Sequence, residues 1–226
     1  MKEDIVWNQA YGLFTRTGDA EWLDINVCSE VLTQDCYKLK QFDGDEIRRI
    51  IDIGAHIGSF ANAAYRRWPD AHITCVEACP ENMYLLERNA PFAEVIQAAC
   101  TYEDGDVHLL NSVMEGATAT GSSIVVSAFM PFSSEVYWND VRPLAKVMLE
   151  ELVGDATCDL LKLDCEWSEF SILENAQCLD QVRHIVGEYH DKARWHDLVK
   201  RKFSGWHHDT LLSIGENQGI FRLSQP

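Results

Sequence analysis

Hydrophobic and polar positions change their rhythm near Arg48. Beyond it, short β-branched runs alternate with stretches of helical period. Ile50-Ile51-Asp52-Ile53 reads as a strand, and Gly54 and Gly58 then precede a helix predicted from Ser59 to Trp68, stopped by Pro69-Asp70. His72 to Val76 is a second strand ending in Glu77. Pro80 suits the first turn of the next helix, which turns Met83, Leu85 and Leu86 inward. Glu94 to Ala99 gives a third strand, and Val107 to Leu110 a fourth segment. Asp159 to Asp164 is a buried strand ending in an acid, followed by a helix over Phe170 to Ala176 and a strand over His184 to Glu188. Thr210 to Ile214 and Ile220 to Leu223 form an antiparallel pair joined by a Gly-Glu-Asn-Gln-Gly turn. Alternation of this kind predicts an α/β fold with a mostly parallel sheet covered on both faces, with ligands at the carboxyl ends of the strands.

Two regions depart from the rhythm. Residues 1–47, with Trp7, Tyr11, Phe14 and Trp22 and the turn Asp43-Gly44-Asp45, read as an N-terminal extension packed on a core over 48–226. Residues 111–140 are rich in Ser, Gly and Thr and then in aromatics (Phe129, Phe132, Tyr137, Trp138). They read as a substrate loop or lid, with ordinary packing as the alternative.

Composition narrows the classes. A chain of 226 residues, 46% hydrophobic and 24% charged, buries a sizeable core in one domain. Its net charge of −17 argues against a polyanion-binding protein, and without base-stacking motifs a nucleic acid partner is not expected. No apolar run reaches the ~18 to 20 residues of a membrane span, and the start lacks a signal-peptide apolar region, so the expectation is a cytoplasmic protein without a membrane partner. The eight cysteines are expected to be reduced packing groups; Cys75 and Cys79 lack the spacing and second pair of a zinc site. Oligomeric state is not legible.

The chemistry-bearing positions gather at strand ends. Two glycines in Asp52-Ile53-Gly54-Ala55-His56-Ile57-Gly58 would let a ligand approach the backbone at a helix N-terminus. Glu77, twenty-five residues beyond Asp52, can accept both hydroxyls of a ribose. His56 stands where a dinucleotide fingerprint needs its second glycine, which disfavours a pyrophosphate and favours S-adenosylmethionine, whose ammonium Asp52 could serve. Taken singly, Asp52 capping the turn and Glu77 solvated at a strand end are equally ordinary readings.

These segments, with Val76-Glu77-Ala78-Cys79-Pro80-Glu81-Asn82 and Leu160-Leu161-Lys162-Leu163-Asp164-Cys165-Glu166 followed by Glu169, resemble the FkbM family of class I S-adenosylmethionine-dependent methyltransferases. Asp35-Cys36-Tyr37 and Gly121-Ser122-Ser123 extend the likeness from about residue 30 to the C-terminus. The resemblance implies a Rossmann-like fold with a seven-stranded sheet and methyl transfer to a hydroxyl of a sugar, polyketide or other secondary metabolite. It implies that Asp52, Gly54, Ala55 and Gly58, with His56 between them, line the methionine end. Glu77 and the adjoining Ala78 would hold the ribose, and Ala99, Cys100 and Thr101 would lie near the adenine. One position departs: Trp167 stands where the family has glycine, either narrowing the acceptor pocket or anchoring the core. Tyr37 and Trp138 join it as candidate substrate contacts.

In-line methyl transfer to a hydroxyl requires alignment and removal of a proton. Asp164 is the first candidate for base or acceptor anchor, against an ion pair of Lys162 with Asp164 or Glu166 that only orders the turn. His190, on the same side of its strand as Glu188, is the second candidate base. Asp164, Glu166, Glu188 and His190 could together hold a divalent cation, with Asp164, Glu188 and His190 as its ligands, a reading the sequence does not favour over metal-free chemistry. Between Arg183 and His208 six Lys or Arg face three Asp or Glu, a local reversal that admits an anionic acceptor, whereas the aromatics of 111–140 suggest a partly apolar one. N-methylation of an amine and a non-catalytic cofactor-binding scaffold are the alternatives to O-methylation.

Overall fold

Strands that are apolar on both faces need cover on both, and the computed structural model, which describes residues 4–42, 46–114, 117–127 and 141–226, supplies it. The N-terminal part holds a hairpin of β1 (Ile5–Asn8) and β2 (Leu13–Arg16), then α1 (Glu21–Cys28). The core follows as β3 (Arg49–Ile53), α2 (Ser59–Arg67), β4 (His72–Glu77), α3 (Pro80–Asn89), β5 (Glu94–Gln97) and β6 (Ala99–Cys100). Next come β7 (Val107–Met114), β8 (Ala117–Ser127), β9 (Val141–Pro143), β10 (Lys146–Val147) and α4 (Leu149–Val153). The chain ends with β11 (Cys158–Leu163), α5 (Ser168–Asn175), β12 (Val182–Tyr189), α6 (Lys192–Lys202), β13 (His207–Ile214) and β14 (Gln218–Ser224).

Seven strands form the central sheet in the order β13-β14-β12-β11-β3-β4-β5. The five from β12 to β5 are parallel, and β14 runs against both of its neighbours. Period-two alternation divides the side chains between two cores. Ile51, Leu161 and Ile185 pack with Phe170, Leu173 and Trp195 on the face covered by α4, α5 and α6. Ile50, Leu160 and Val186 pack with Phe60, Ala64 and Leu86 on the face covered by α2 and α3. This is a Rossmann-like α/β architecture with the expected C-terminal antiparallel pair. The chain fills the sheet outward from β3 to β5, then returns to lay β11 on the other side of β3. That reversal opens a crevice at the carboxyl ends of β3 and β11.

Three sequence expectations need correction. Val107–Met114 is not a strand of the central sheet; it lies between β8 and β9 in a separate three-stranded antiparallel sheet. Residues 117–127, expected within a loop, are strand, because Thr118, Thr120, Ile124, Val125 and Val126 supply a β-branched run that outweighs the loop-like Gly and Ser between them. The third central strand ends at Gln97, and Ala99–Cys100 pairs instead with β10. The turn at 43–45 and the aromatics at 129–138, Trp138 among them, lie outside the described residues.

The N-terminal hairpin is fastened to the core by specific bonds. Phe14 and Asn89 exchange two hydrogen bonds, Phe14 N to Oδ1 at 2.7 Å and Nδ2 to Phe14 O at 2.9 Å. Arg66 donates to the Tyr11 carbonyl at 2.5 Å. Among the described residues, no helix is long and apolar enough to cross a membrane.

Candidate functional site

A cavity of about 440 Å³ opens at the carboxyl ends of β3, β4, β11 and β12, within the size range of small-molecule sites. Gly54 shapes its floor for a reason the motif did not reveal. Its φ is +77°, and a Cβ there would stand 1.8 Å from the Asp164 carbonyl oxygen. The absent side chain admits the end of β11, not only a ligand. Asp164 N in turn donates to Ile53 O at 3.2 Å, so the two strand ends are locked together.

One end of the cavity is organised by Glu77. Its Oε2 accepts from the backbone N–H of His56 at 2.7 Å; its Oε1 accepts from Cys79 N at 2.8 Å and Asn82 Nδ2 at 3.1 Å. His56 can present its N–H this way because it adopts a left-handed φ of +51°. Burial pushes the Glu77 carboxyl above its usual range, against the pull of those donors. Gly54, Ala55, His56, Glu77, Ala78, Ala99 and Cys100, all expected near the donor, line the cavity, and so does Ala98. Asp52, Gly58 and Thr101 do not line it. Asp52 is fully buried beneath the loop, its Oδ1 3.1 Å from Lys162 Nζ, a cross-strand pair set by the Lys162↔Asp52 register. Lys162 also donates to the Gly54 carbonyl at 2.5 Å and stands 3.9 Å from Asp164. Burial would lower its pKa, but the Asp52 and Asp164 carboxylates outweigh burial and hold the ammonium above its usual range.

Behind this loop lies a network that no local pattern announced. Arg16 Nη2 pairs with Asp24 Oδ1 at 2.5 Å, Nη1 donates to Asn82 Oδ1 at 3.0 Å, and Nη2 stands 3.1 Å from His56 Nε2. A guanidinium only donates, so Nε2 accepts and the neutral ring carries its proton on Nδ1, which is buried without a hydrogen-bond partner. Burial lowers the His56 pKa to about 4, with the Arg16 charge adding to it.

At the other end, the acids gather. The Tyr37 hydroxyl donates to Asp164 Oδ2 at 2.8 Å, and Tyr37 lines the cavity. Glu166 and Trp167 follow at φ +48° and +76°, two consecutive residues in a conformation L side chains rarely adopt. Glu166, Glu188 and Glu30 also line the cavity. His190 is nearly buried: its Nδ1 lies 3.0 Å from Glu169 Oε1, and its Nε2 faces Glu166 Oε2 at 3.3 Å and Glu188 Oε1 at 3.9 Å. Burial raises the Glu166 carboxyl to about 7 and Glu188 to about 8, in each case reinforced by Asp164. Burial would lower His190, but the Glu169 hydrogen bond and the neighbouring carboxylates outweigh it and lift the ring to about 9. Glu169, which orients it, was given no role by the sequence, although it stands in the segment that carries the family resemblance and in the first turn of α5.

Trp167 is 44% exposed, with its ring 6.0 Å from that of His190, so it is not a core anchor. The basic stretch on α6 has a structural occupation: Arg194 and Arg201 pair with Glu174, and Lys202 caps the end of α5 through the carbonyls of Glu174 and Ala176.

The family model for the methyltransferase FkbM domain matches residues 52–214. The chain is 27% identical over 216 residues to the 31-O-demethyl-FK506 methyltransferase FkbM of Streptomyces tacrolimicus, covering 81% of this chain and 80% of that protein. Among solved structures, the METTL16 methyltransferase domain superposes with a TM-score of 0.52 at 9% identity, over 98% of this chain and 86% of that one, a likeness of fold.

Proposed function

The chain belongs to the FkbM methyltransferase family, and from that membership we propose that it transfers the methyl group of S-adenosylmethionine to a hydroxyl of a small molecule. The observation that carries this reading is a single cavity with Glu77 at one end and Asp164, Glu166 and Glu188 at the other. The residues present fit the donor. Glu77 is fixed by three hydrogen bonds, two to Oε1 and one to Oε2, which leaves one acceptor site on Oε2 for a ribose hydroxyl. Ala78, Ala98 and Ala99 leave room beside it for a flat base. S-adenosylmethionine supplies, when bound, an electrophilic methyl on a sulfonium; the protein's work is to align the acceptor and take its proton.

That work falls to the acidic end. Asp164 is held by the Tyr37 hydroxyl and by its backbone bond to β3, so its carboxylate has a fixed direction in which to receive an acceptor hydroxyl. The ring nitrogens of His190 face Glu169, Glu166 and Glu188, so a carboxylate that lines the cavity is the group placed to accept the hydroxyl's proton. Oxygen as the acceptor atom is supported by the curated relative, a 31-O-demethyl-FK506 methyltransferase.

Calorimetry tests the donor half. The protein should bind S-adenosylhomocysteine, and Glu77→Ala should weaken that binding by at least about tenfold, the loss of a hydrogen bond to a charged group. Wild-type protein that binds neither S-adenosylmethionine nor S-adenosylhomocysteine would overturn the proposal.

A further inference from the structure

The acidic end of the cavity gathers carboxyl groups around a single imidazole. Asp164, Glu166, Glu169 and Glu188 surround one imidazole, and Lys162, the lysine on the cavity wall, sits closer to Asp52 at 3.1 Å than to Asp164 at 3.9 Å. Carboxyl oxygens and one imidazole nitrogen thus converge on a partly buried crevice, the donor types that hold a divalent cation.

The geometry shows where that cation belongs. Parallel register places Leu163 opposite Gly187, so the ends of β11 and β12 bring Asp164 and Glu188 side by side, and His190 follows Glu188 on the same side. One ligand atom from each of Asp164, Glu188 and His190 lies within 4.8 Å of the other two. Atoms bonded to one ion at about 2.0 to 2.2 Å stand roughly 3 to 4 Å apart, so a small side-chain contraction closes the set.

The setting of His190 supplies an independent observation. Glu169 is fully buried, and its Oε1 receives both the backbone N–H of His190 at 3.2 Å and the ring Nδ1 at 3.0 Å. Its Oε2 is buried without a hydrogen-bond partner, so the polar engagement of this carboxylate runs through His190. A carboxylate behind one ring nitrogen, with the other nitrogen aimed at a group of oxygens, is the arrangement that orients a histidine for a metal.

We propose that Asp164, Glu188 and His190 bind one divalent transition-metal ion, of the class that takes mixed carboxylate and imidazole ligands, at the acceptor end of the cavity. Its use in catalysis rests on the methyltransferase reading above. There the acceptor hydroxyl takes an open coordination position, its O–H proton passes to Glu166, and the oxygen forms its bond to the methyl carbon as the carbon–sulfur bond of the sulfonium breaks. The products are a methyl ether, S-adenosylhomocysteine and a protonated Glu166.

The test is a titration of chelator-treated full-length protein with Mn²⁺, followed by calorimetry and electron paramagnetic resonance, with S-adenosylhomocysteine binding measured on the same sample. One Mn²⁺ per chain is expected. His190→Ala and Asp164→Asn should each weaken it at least tenfold, and Glu169→Gln about tenfold through loss of the orienting bond. Glu87→Gln, on the exposed side of α3, should leave it within twofold. If His190→Ala fails to fold, Asp164→Asn combined with Glu188→Gln decides. Protein that binds S-adenosylhomocysteine but no Mn²⁺ at millimolar concentration, or Mn²⁺ affinity unchanged by the ligand substitutions, overturns the metal site and leaves the donor reading intact. Mn²⁺ binding without S-adenosylhomocysteine binding does the reverse.

Discussion

Replacing Gly54 by alanine separates two costs that a glycine motif usually confounds. The first is conformational: at φ +77° an L side chain meets its own backbone, which costs about 1–2 kcal/mol. The reduced freedom of the unfolded chain returns roughly 0.4–1 kcal/mol of that. The second is steric. The new Cβ would stand 1.8 Å from the Asp164 carbonyl oxygen and 2.8 Å from its carbon, whereas an ordinary contact begins at 3.4 Å. The neighbour is backbone at a strand end, tied back to Ile53 O, so it cannot turn aside as a flexible side chain could. Forced insertion into a packed site costs typically about 1–3 kcal/mol, which brings Gly54→Ala to roughly 1–5 kcal/mol. Gly215 is the control: its φ is +61° and nothing lies within 4 Å of a Cβ built there, so Gly215→Ala carries the conformational cost alone, about 1 kcal/mol. Urea denaturation of the three proteins measures the difference. Because displacing Asp164 also moves its carboxylate, Gly54→Ala should lose Mn²⁺ affinity where Gly215→Ala does not. Equal destabilisation by the two substitutions would refute the argument that β11 packing, and not backbone conformation, requires the glycine.

Two further outcomes are expected. Burial holds His56 at about 4, below its ordinary value of 6.5, so the unfolded chain binds the extra proton first and stability falls as pH drops from 6.5 toward 4. At about 1.4 kcal/mol per pH unit, this is a loss of roughly 2–3 kcal/mol. His56→Asn tolerates the left-handed backbone and should remove that part of the pH dependence, read as the difference between the two proteins' denaturation midpoints at pH 7 and pH 4.5. Asp24→Ala strands the Arg16 guanidinium, which is 3% exposed, and should cost about 3–5 kcal/mol, whereas Arg16→Met combined with Asp24→Leu should cost far less. Equal losses in the single and double variants would show that the pair is not acting as a buried charge couple.

What the sequence made legible is what alternation and strand ends can encode. β3 with Gly54, β4 with Glu77, β11 with Asp164 and β12 with Glu188 and His190 follow from apolar runs that stop at an acid or a glycine. The sequence could not show which acid is exposed to the cavity and which is sealed beneath it. Asp52 and Asp164 sit on neighbouring strand ends, and only the register of β3 against β11 sends Lys162 to the former. Nor does local pattern announce a bond between residues far apart in the chain, such as Tyr37 to Asp164 across 127 positions or Arg16 to Asn82 across 66. The altered behaviour of His190 has the same origin. An isolated imidazole titrates near neutrality, and it is the convergence of Glu169, Glu166 and Glu188 that overrides this.

The Arg16 network also bears on where the domain can be cut. The family match begins at residue 52, and the central sheet at Arg49. Yet the loop that carries the His56 N–H to Glu77 leans on Arg16, the helix that carries Asn82 is tied to the same guanidinium, and Asp164 takes a hydrogen bond from Tyr37. A fragment started at the first central strand would keep the whole family match of residues 52–214 and lose three of the supports that aim its residues. As a portable unit for grafting, fusion or circular permutation, the domain therefore begins at its small N-terminal hairpin, and permuted termini belong elsewhere, at the Gly215 turn between β13 and β14, where added chain meets open space.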